Sequence, residues 1–191
     1  RISALTLSGG GTLYVGGDFT STAATIGGAS RNYIAELRES TGFATVWDPN
    51  ANGEVLSIVL SGKSPNSLFV GGDFSNVNGR DRLRLAEINL STASAEIWLM
   101  SAAGKVHALA MSSDGALLYA GGDFESAGGQ ERSHVAALNI SKVVDVLASV
   151  DGTVLTVVAA GASGGWYIGG SFTAVGGVAR NNIARIGVDG V

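Results

Sequence analysis

Apolar residues in this chain fall into short runs separated by Gly, Ser, Asn and Asp, and no window sustains the 3.6-residue period of an amphipathic helix. The runs therefore predict strands joined by tight turns. The pattern also repeats: an apolar triplet, a glycine pair and a Phe recur as Leu13–Phe19, Leu68–Phe74, Leu118–Phe124 and Trp166–Phe172. The second glycines of the pairs, Gly17, Gly72, Gly122 and Gly170, are spaced by roughly 55, 50 and 48 residues, a period that means stacked supersecondary units rather than one irregular core.

Superimposing the units on the glycine pair exposes four segments in each. The first reads Ile2–Leu7, Val55–Leu60, Val106–Met111 and Val154–Ala159, apolar on both faces as strands covered on either side are. Its third position is always small (Ala4, Ser57, Ala108, Thr156), which predicts a close approach there. The second segment ends in the glycine pair, where the backbone can bend, take positive φ, or receive a neighbouring side chain directly on the main chain. The third follows a small Gly-rich loop and reads Ile34–Leu37, Leu85–Ile88, Val135–Leu138 and Ile183–Ile186, with alanine always second. The fourth is least regular: Phe43–Trp47, Ala95–Trp98 and Val143–Ala148, where Ala148 departs from the two aligned Trp. Gly53, Gly104 and Gly152 then lead into the next unit.

Four strands in about fifty residues describe a β-propeller blade. The sequence thus predicts an all-β, β-propeller-type array of four blades, about residues 1–53, 54–104, 105–152 and 153–191, in one domain spanning 1–191. Val191 aligns with Gly42, so the last blade lacks its fourth strand, and no spare strand precedes Ile2. An open edge leaves N–H and C=O groups unpaired. The expectation is either a portion of a longer propeller or a neighbouring copy that completes the edge at Asn182–Val188 by strand addition; four blades closed within one chain would contradict both. A start at Arg1, with no basic-then-apolar leader, predicts that any leader has been removed or lies outside this sequence.

Composition narrows the function classes. Charged residues are 15% of the chain, hydrophobic ones 46%, and the net charge is −4; the twelve Lys and Arg are scattered singly and form no basic stripe for nucleic acid. There is no cysteine, which removes disulfides, thiolate metal sites and cysteine nucleophiles, and no apolar stretch approaches the roughly 18 to 20 residues of a membrane span. The 29 glycines follow no Gly-X-Y period and punctuate turns.

The order of apolar triplet, Gly-Gly, Asp-Phe, Gly-Gly-type loop, Arg and Ile-Ala-x-Leu, clearest in Tyr167–Ile186, resembles the delta-60 class of β-propeller repeats and is similar to the kelch superfamily. The resemblance covers essentially the whole chain. It implies a propeller fold, a place in secreted or surface-exposed proteins, and contacts with other proteins through loops. The copper-binding branch of kelch-like propellers is not implied, because the chain has no Cys and only His107 and His134.

Candidate site residues are weighed on this frame. Gly16, Gly17, Asp18 and Phe19, with Gly71, Gly72, Asp73 and Phe74, Gly121, Gly122, Asp123 and Phe124, and Gly169, Gly170, Ser171 and Phe172, read as structural punctuation. The Gly-Gly-Asp-Phe string is not the diguanylate-cyclase signature, since Phe replaces the second acidic residue and a catalytic motif is not stamped once per blade. Asp18, Asp73, Asp123 and Ser171 are expected to brace turns by accepting hydrogen bonds from loop N–H groups. Arg31, Arg82, Arg132 and Arg180 recur before the third segment and are expected to tie down the preceding loop by hydrogen-bonding carbonyls or the nearby Asp; the sharper alternative is a ring of guanidinium groups on one face that captures anions, carboxylates or sulfated sugars. His107 is expected to be buried or channel-lining, and Glu36, Glu87, Glu96 and Glu125 to face solvent. Asn89-Leu-Ser91 and Asn139-Ile-Ser141 match the N-glycosylation acceptor pattern. The reading is a non-enzymatic structural or interaction module of a secreted or cell-surface protein, without cofactor or metal. It self-associates or binds protein through its open edge and through the loops Thr20–Ser30 and Asp48–Asn52. The alternative is a carbohydrate-binding or glycan-hydrolysing propeller with aromatics and carboxylates clustered at one mouth.

Overall fold

The computed structural model describes residues 1–22, 25–61, 67–98, 100–139, 143–144, 148–161 and 164–187, and the elements they form are all strands. The chain divides into two compact bodies, Arg1–Trp98 and Leu99–Val191. In the first, β1 (Ile2–Leu7), β2 (Thr12–Gly17) and β3 (Ile34–Arg38) make one antiparallel sheet in chain order. A second sheet joins β4 (Glu54–Leu60), β5 (Ser67–Asp73) and β8 (Leu85–Asn89), with the hairpin β6 (Asn76–Val77) and β7 (Arg80–Asp81) between the last two. In the second body, β9 (Val106–Met111), β10 (Leu117–Gly122) and β13 (Val135–Asn139) pair in the same order, and β14 (Val143–Val144) adds to the outer side. The last sheet is β15 (Thr153–Ala159), β16 (Trp166–Ser171) and β19 (Ile183–Ile186). Hairpins β11–β12 (Ser126–Ala127, Gln130–Glu131) and β17–β18 (Ala174–Val175, Val178–Ala179) complete the set.

Four sheets of about three strands, spaced through the chain, match the four blade-like units that the glycine pairs mark. The fourth segment corrects the expectation of four strands per unit. It makes one antiparallel bridge in the first two units, Leu37 with Ala44 and Ile88 with Ala95, and two residue pairs in the third, Ala137 with Val144 and Leu138 with Val143. Residues 145–147 of that segment lie outside the described residues, as do 188–191 of the expected open edge. Among the described residues, β19 pairs with β16 alone.

The small Gly-rich loop is itself an element. Each copy is a two-residue turn with both central residues at positive φ: Gly27 and Gly28, Asn78 and Gly79, Gly128 and Gly129, Gly176 and Gly177. That is the type I′ hairpin geometry, which Asn-Gly and Gly-Gly adopt without clash. In the last three copies the apolar residue before the turn anchors the hairpin, Val77 and Ala127 being fully buried and Val175 nearly so, whereas Ile26 of the first is half-buried. The linker from the preceding unit bridges that same residue, Ala51 with Val77, Ala102 with Ala127 and Val150 with Val175.

The core of each body lies between its two sheets. Tyr14 and Ile34 of the first sheet meet Val55, Ile58 and Val70 of the second, with Trp47 closing the side; the Tyr14 and Trp47 rings meet edge to face at 5.2 Å. In the other body Ala108, Tyr119 and Val135 meet Val154, Val157 and Trp166, and Tyr119 stacks on Trp166 at 4.8 Å. Aromatic contacts at these separations add to the burial of apolar area.

Candidate functional site

The glycine pair does two different jobs. Each first-strand pairing carries a β-bulge next to the pair, between Ile2 and Ala4, Val55 and Ser57, Gly121 and Gly122, and Val154 and Thr156. The second glycine lies under the backbone of the partner strand: a β-carbon at Gly17, Gly72, Gly122 or Gly170 would stand 2.0–2.2 Å from a carbonyl oxygen. The first glycine is a socket for the next sheet. At Gly16 a β-carbon would stand 2.6 Å from Val55 Cγ1 and 2.9 Å from Ile58 Cδ1, and at Gly121 2.5 Å from Val154 Cγ1 and 2.8 Å from Val157 Cγ2. None of the eight paired glycines has positive φ, so close approach rather than backbone handedness requires them. The positive φ falls instead on Tyr33, Arg84, His134 and Asn182, one before each third strand. Phe74, Phe124 and Phe172 are buried, and Phe19 is half-buried.

The recurrent arginines lie along the hairpin loop they follow. Arg31 donates to the Ser30 and Thr45 carbonyls at 2.7 and 2.5 Å, and buried Arg82 to the Asp81 and Glu96 carbonyls at 2.6 and 2.5 Å. Each guanidinium thus links its hairpin to the fourth segment. Arg132 donates to the Glu131 carbonyl, and Arg180, which is exposed, to that of Ala179. Arg31 also approaches Asp48, Nη1 to Oδ2 at 3.7 Å.

Two of the motif carboxylates, Asp73 and Asp123, take side-chain donors. Asp73 pairs with Arg84 Nε at 3.4 Å. Asp123 lies 2.8 Å from His107 Nε2 and accepts from the Thr153 hydroxyl at 2.7 Å, which ties the last two sheets together. Burial pushes Asp123 up, but Thr153 and His107 outweigh it and hold the carboxyl below its ordinary value. Asp18 and Ser171 are exposed. His107 is half-buried, and His134 Nδ1 lies 2.8 Å from the Val150 carbonyl oxygen.

Two glutamates depart from the solvent-facing expectation. Glu87 is buried and accepts from Ser67 Oγ at 2.6 Å. Glu36 accepts from Tyr14 Oη at 2.8 Å and from Thr45 Oγ1. Burial, reinforced by Glu36, pushes the Tyr14 hydroxyl up to about 12. Both carboxylates fasten strands. Glu96 accepts from Asn89 Nδ2 at 2.8 Å, and Glu125 is exposed. Asn89 Oδ1 accepts from the Ser91 and Thr92 N–H groups; residues 140–141 of the second acceptor pattern lie outside the described residues.

Sequence reasoning missed the groups that brace the hairpin N–H groups. They come from the linker: Asn52 Oδ1 accepts from Ser75 and Asn76 at 2.9 Å, and Asp151 from Thr173 N, Thr173 Oγ1 and Ala174 N. The Thr173 hydroxyl, with the two backbone N–H groups, lowers Asp151 from 3.8 to about 2. The signal was an Asn or Asp directly before the linker glycine, Asn52-Gly53 and Asp151-Gly152. The Asp48–Asn52 loop is therefore bound to the hairpin that follows it. In Thr20–Ser30, of which 23–24 lie outside the described residues, Gly27 O accepts from Ala44 N at 2.8 Å.

Large apolar side chains stay exposed at several places, Phe43, Val46, Leu83, Ile97 and Val178 among them. Ile2, Leu5 and Leu7 of β1 are exposed, and so are Leu155, Val158, Tyr167 and Ile183 of the last sheet. A shallow cavity of about 270 Å³ opens among Ser112, Asp114, Tyr119 and Gly165, and there Asp114 accepts from Ser112 Oγ and Ala116 N. Among the described residues, no three His, Cys, Asp or Glu side chains gather in a way that could hold a metal ion. None of the described residues forms a helix long and apolar enough to cross a membrane.

Comparison with known families agrees with the repeat architecture. Residues 66–91 and 157–191, about a third of the chain, match a family described as a β-propeller domain of unknown function (DUF5122). No curated protein matches the chain. The match covers the second glycine-pair strand and third strand of one unit and most of another. It supports β-propeller-type repeats in general terms and does not extend to the delta-60 or kelch resemblance.

Proposed function

We propose that this chain is a non-enzymatic interaction module, carried on a secreted or cell-surface protein, that engages protein partners through the apolar faces of its first and last sheets. The observation that carries the reading is the set of large apolar side chains left bare on β1 and on β15, β16 and β19, aliphatic except for Tyr167. Single exposed apolar residues are ordinary, whereas contiguous patches mark contact surfaces. The faces also outweigh the open edge of β19. Fully burying one Leu or Ile is worth about 1.5–3 kcal/mol, against about 0.5–1.5 kcal/mol for each hydrogen bond gained by strand addition.

A glycan-binding reading requires exposed aromatics beside carboxylates. Trp47, Trp98 and Trp166 are buried while Phe43 and Tyr167 are exposed, and Glu36 and Glu87 are spent on strand contacts. The test is site-specific photo-cross-linking in cells that make the protein, with the reactive residue at Leu5, at Ile183, and at Thr22 in the inserted loop. Protein adducts from Leu5 and Ile183 with few from Thr22 are the expected result. Adducts confined to Thr22, or a positive glycan array without protein adducts, would overturn the reading.

A further inference from the structure

Each body contains one complete joint between successive sheets, and the two joints use the same positions. The knobs are two aliphatic residues of the incoming first strand, Val55 and Ile58 in one body, Val154 and Val157 in the other. The socket is the first glycine of the pair, flanked by a tyrosine of the same strand and an aliphatic residue that opens the third strand: Tyr14, Gly16 and Ile34, or Tyr119, Gly121 and Val135. All of these knobs and flanking residues are buried.

The chain also carries one knob set and one socket that are bare. In the first sheet Ile2 and Leu5 align with Val55 and Ile58, yet Leu5 is 61% exposed where Ile58 is 8%. In the last sheet Tyr167, Gly169 and Ile183 repeat the socket, yet Ile183 is 69% exposed where Ile34 is 0%. A β-carbon at Gly169 would meet only Thr156 Cγ2 and the Asn182 carbonyl, both of its own sheet. Among the described residues, no aliphatic side chain stands at Gly169 as Val55 stands at Gly16.

We propose that the occupant is a second copy of this chain, its Ile2 and Leu5 seated on the Gly169 face of the first. This rests on the interaction reading above and names its partner. The complementarity is one the molecule already uses twice: branched aliphatics against a strand stripped of its β-carbon, beside a tyrosine ring. Knob and socket are different surfaces, so the contact is heterologous, and repeating it makes a ring or an open chain of copies rather than a symmetric pair.

The experiment measures mass by light scattering and sedimentation over a concentration series, on wild type, Leu5→Glu, Ile183→Glu and an equimolar mixture of the two variants. Both positions are exposed, so the variants keep the wild-type far-ultraviolet dichroism and unfolding midpoint; Leu7→Glu and Tyr167→Glu serve as second variants on the same faces. Wild type is expected to grow beyond two chains as concentration rises, and each variant alone to stay monomeric. The mixture retains one intact knob set and one intact socket, and therefore forms a species of two chains and no more. A monomeric wild type, an effect from only one variant, or a mixture that stays monomeric would overturn the second copy as the occupant. If wild type is monomeric while Leu5 and Ile183 still cross-link to other proteins, the self-contact fails and the interaction reading stands; if the adducts are missing as well, both fail.

Discussion

Gly16 and Gly121 are held by what lies on them. A methyl group added at Gly121 would press on Val154 and Val157 in a packed interface, where neither neighbour can turn away without opening the core. Gly121→Ala is expected to cost about 1–3 kcal/mol, the range for overpacking. At the corresponding Gly169 the new carbon would meet Thr156 Cγ2 at 2.8 Å, an exposed side chain free to change rotamer, so Gly169→Ala should stay within about 0.5 kcal/mol of wild type, as surface substitutions do. Urea unfolding of the two variants at low protein concentration checks the contrast. The recurrence of the pair was legible in the sequence, but its reason was not. A glycine needed for positive φ and one needed for close approach look alike in one dimension, and only the positions of Val55 and Val154 separate them.

Arg82 is the brace of its sheet. Its guanidinium joins the β6–β7 hairpin to the fourth segment through the Asp81 and Glu96 carbonyls, and charge-assisted bonds of this kind are worth about 1.5–3 kcal/mol each where a buried partner would be left unpaired. Arg82→Ala is expected to lose about 2 kcal/mol in urea unfolding, whereas Arg180→Ala, at an exposed copy of the same position, should be near neutral. Sulfate titration separates this role from anion capture: a buried brace binds none, and saturable binding lost in Arg82→Ala would contradict it. The hairpins themselves were written in the sequence as Asn78-Gly79 and three Gly-Gly pairs, each after an apolar or small residue. They merge into loop on a first reading because two-residue strands are too short to show alternation. The fourth segment misleads in the opposite direction. Its Trp and aliphatics look like a strand, but in the first two units they bury a ring and make a single bridge.

At the scale of the molecule, the linkers set how the units respond to acid. Asp151 binds the hairpin of the last sheet as a carboxylate and is lowered from 3.8 to about 2 in the folded protein. A group depressed by folding adds stability above its unfolded value and loses it as pH falls through the folded one. The stability gap between wild type and Asp151→Asn is thus expected to be full at neutral pH, to shrink below about pH 4 and to close near pH 2, followed by thermal unfolding across that range. Four blade-like units and their order were readable from the glycine spacing alone. The exposed faces were not, because Leu5 and Ile58, or Ile183 and Ile34, are the same kind of residue at the same place in the repeat, and only their neighbours tell them apart.

The shared form of the two joints bears on how such a chain lengthens over generations. A tandem duplication cut at the linker glycines delivers a unit that already owns both halves of the contact it needs. Unequal crossing-over between neighbouring repeats can then change their number without first inventing an interface, and selection is left to act on the loops and on the residues at the two ends.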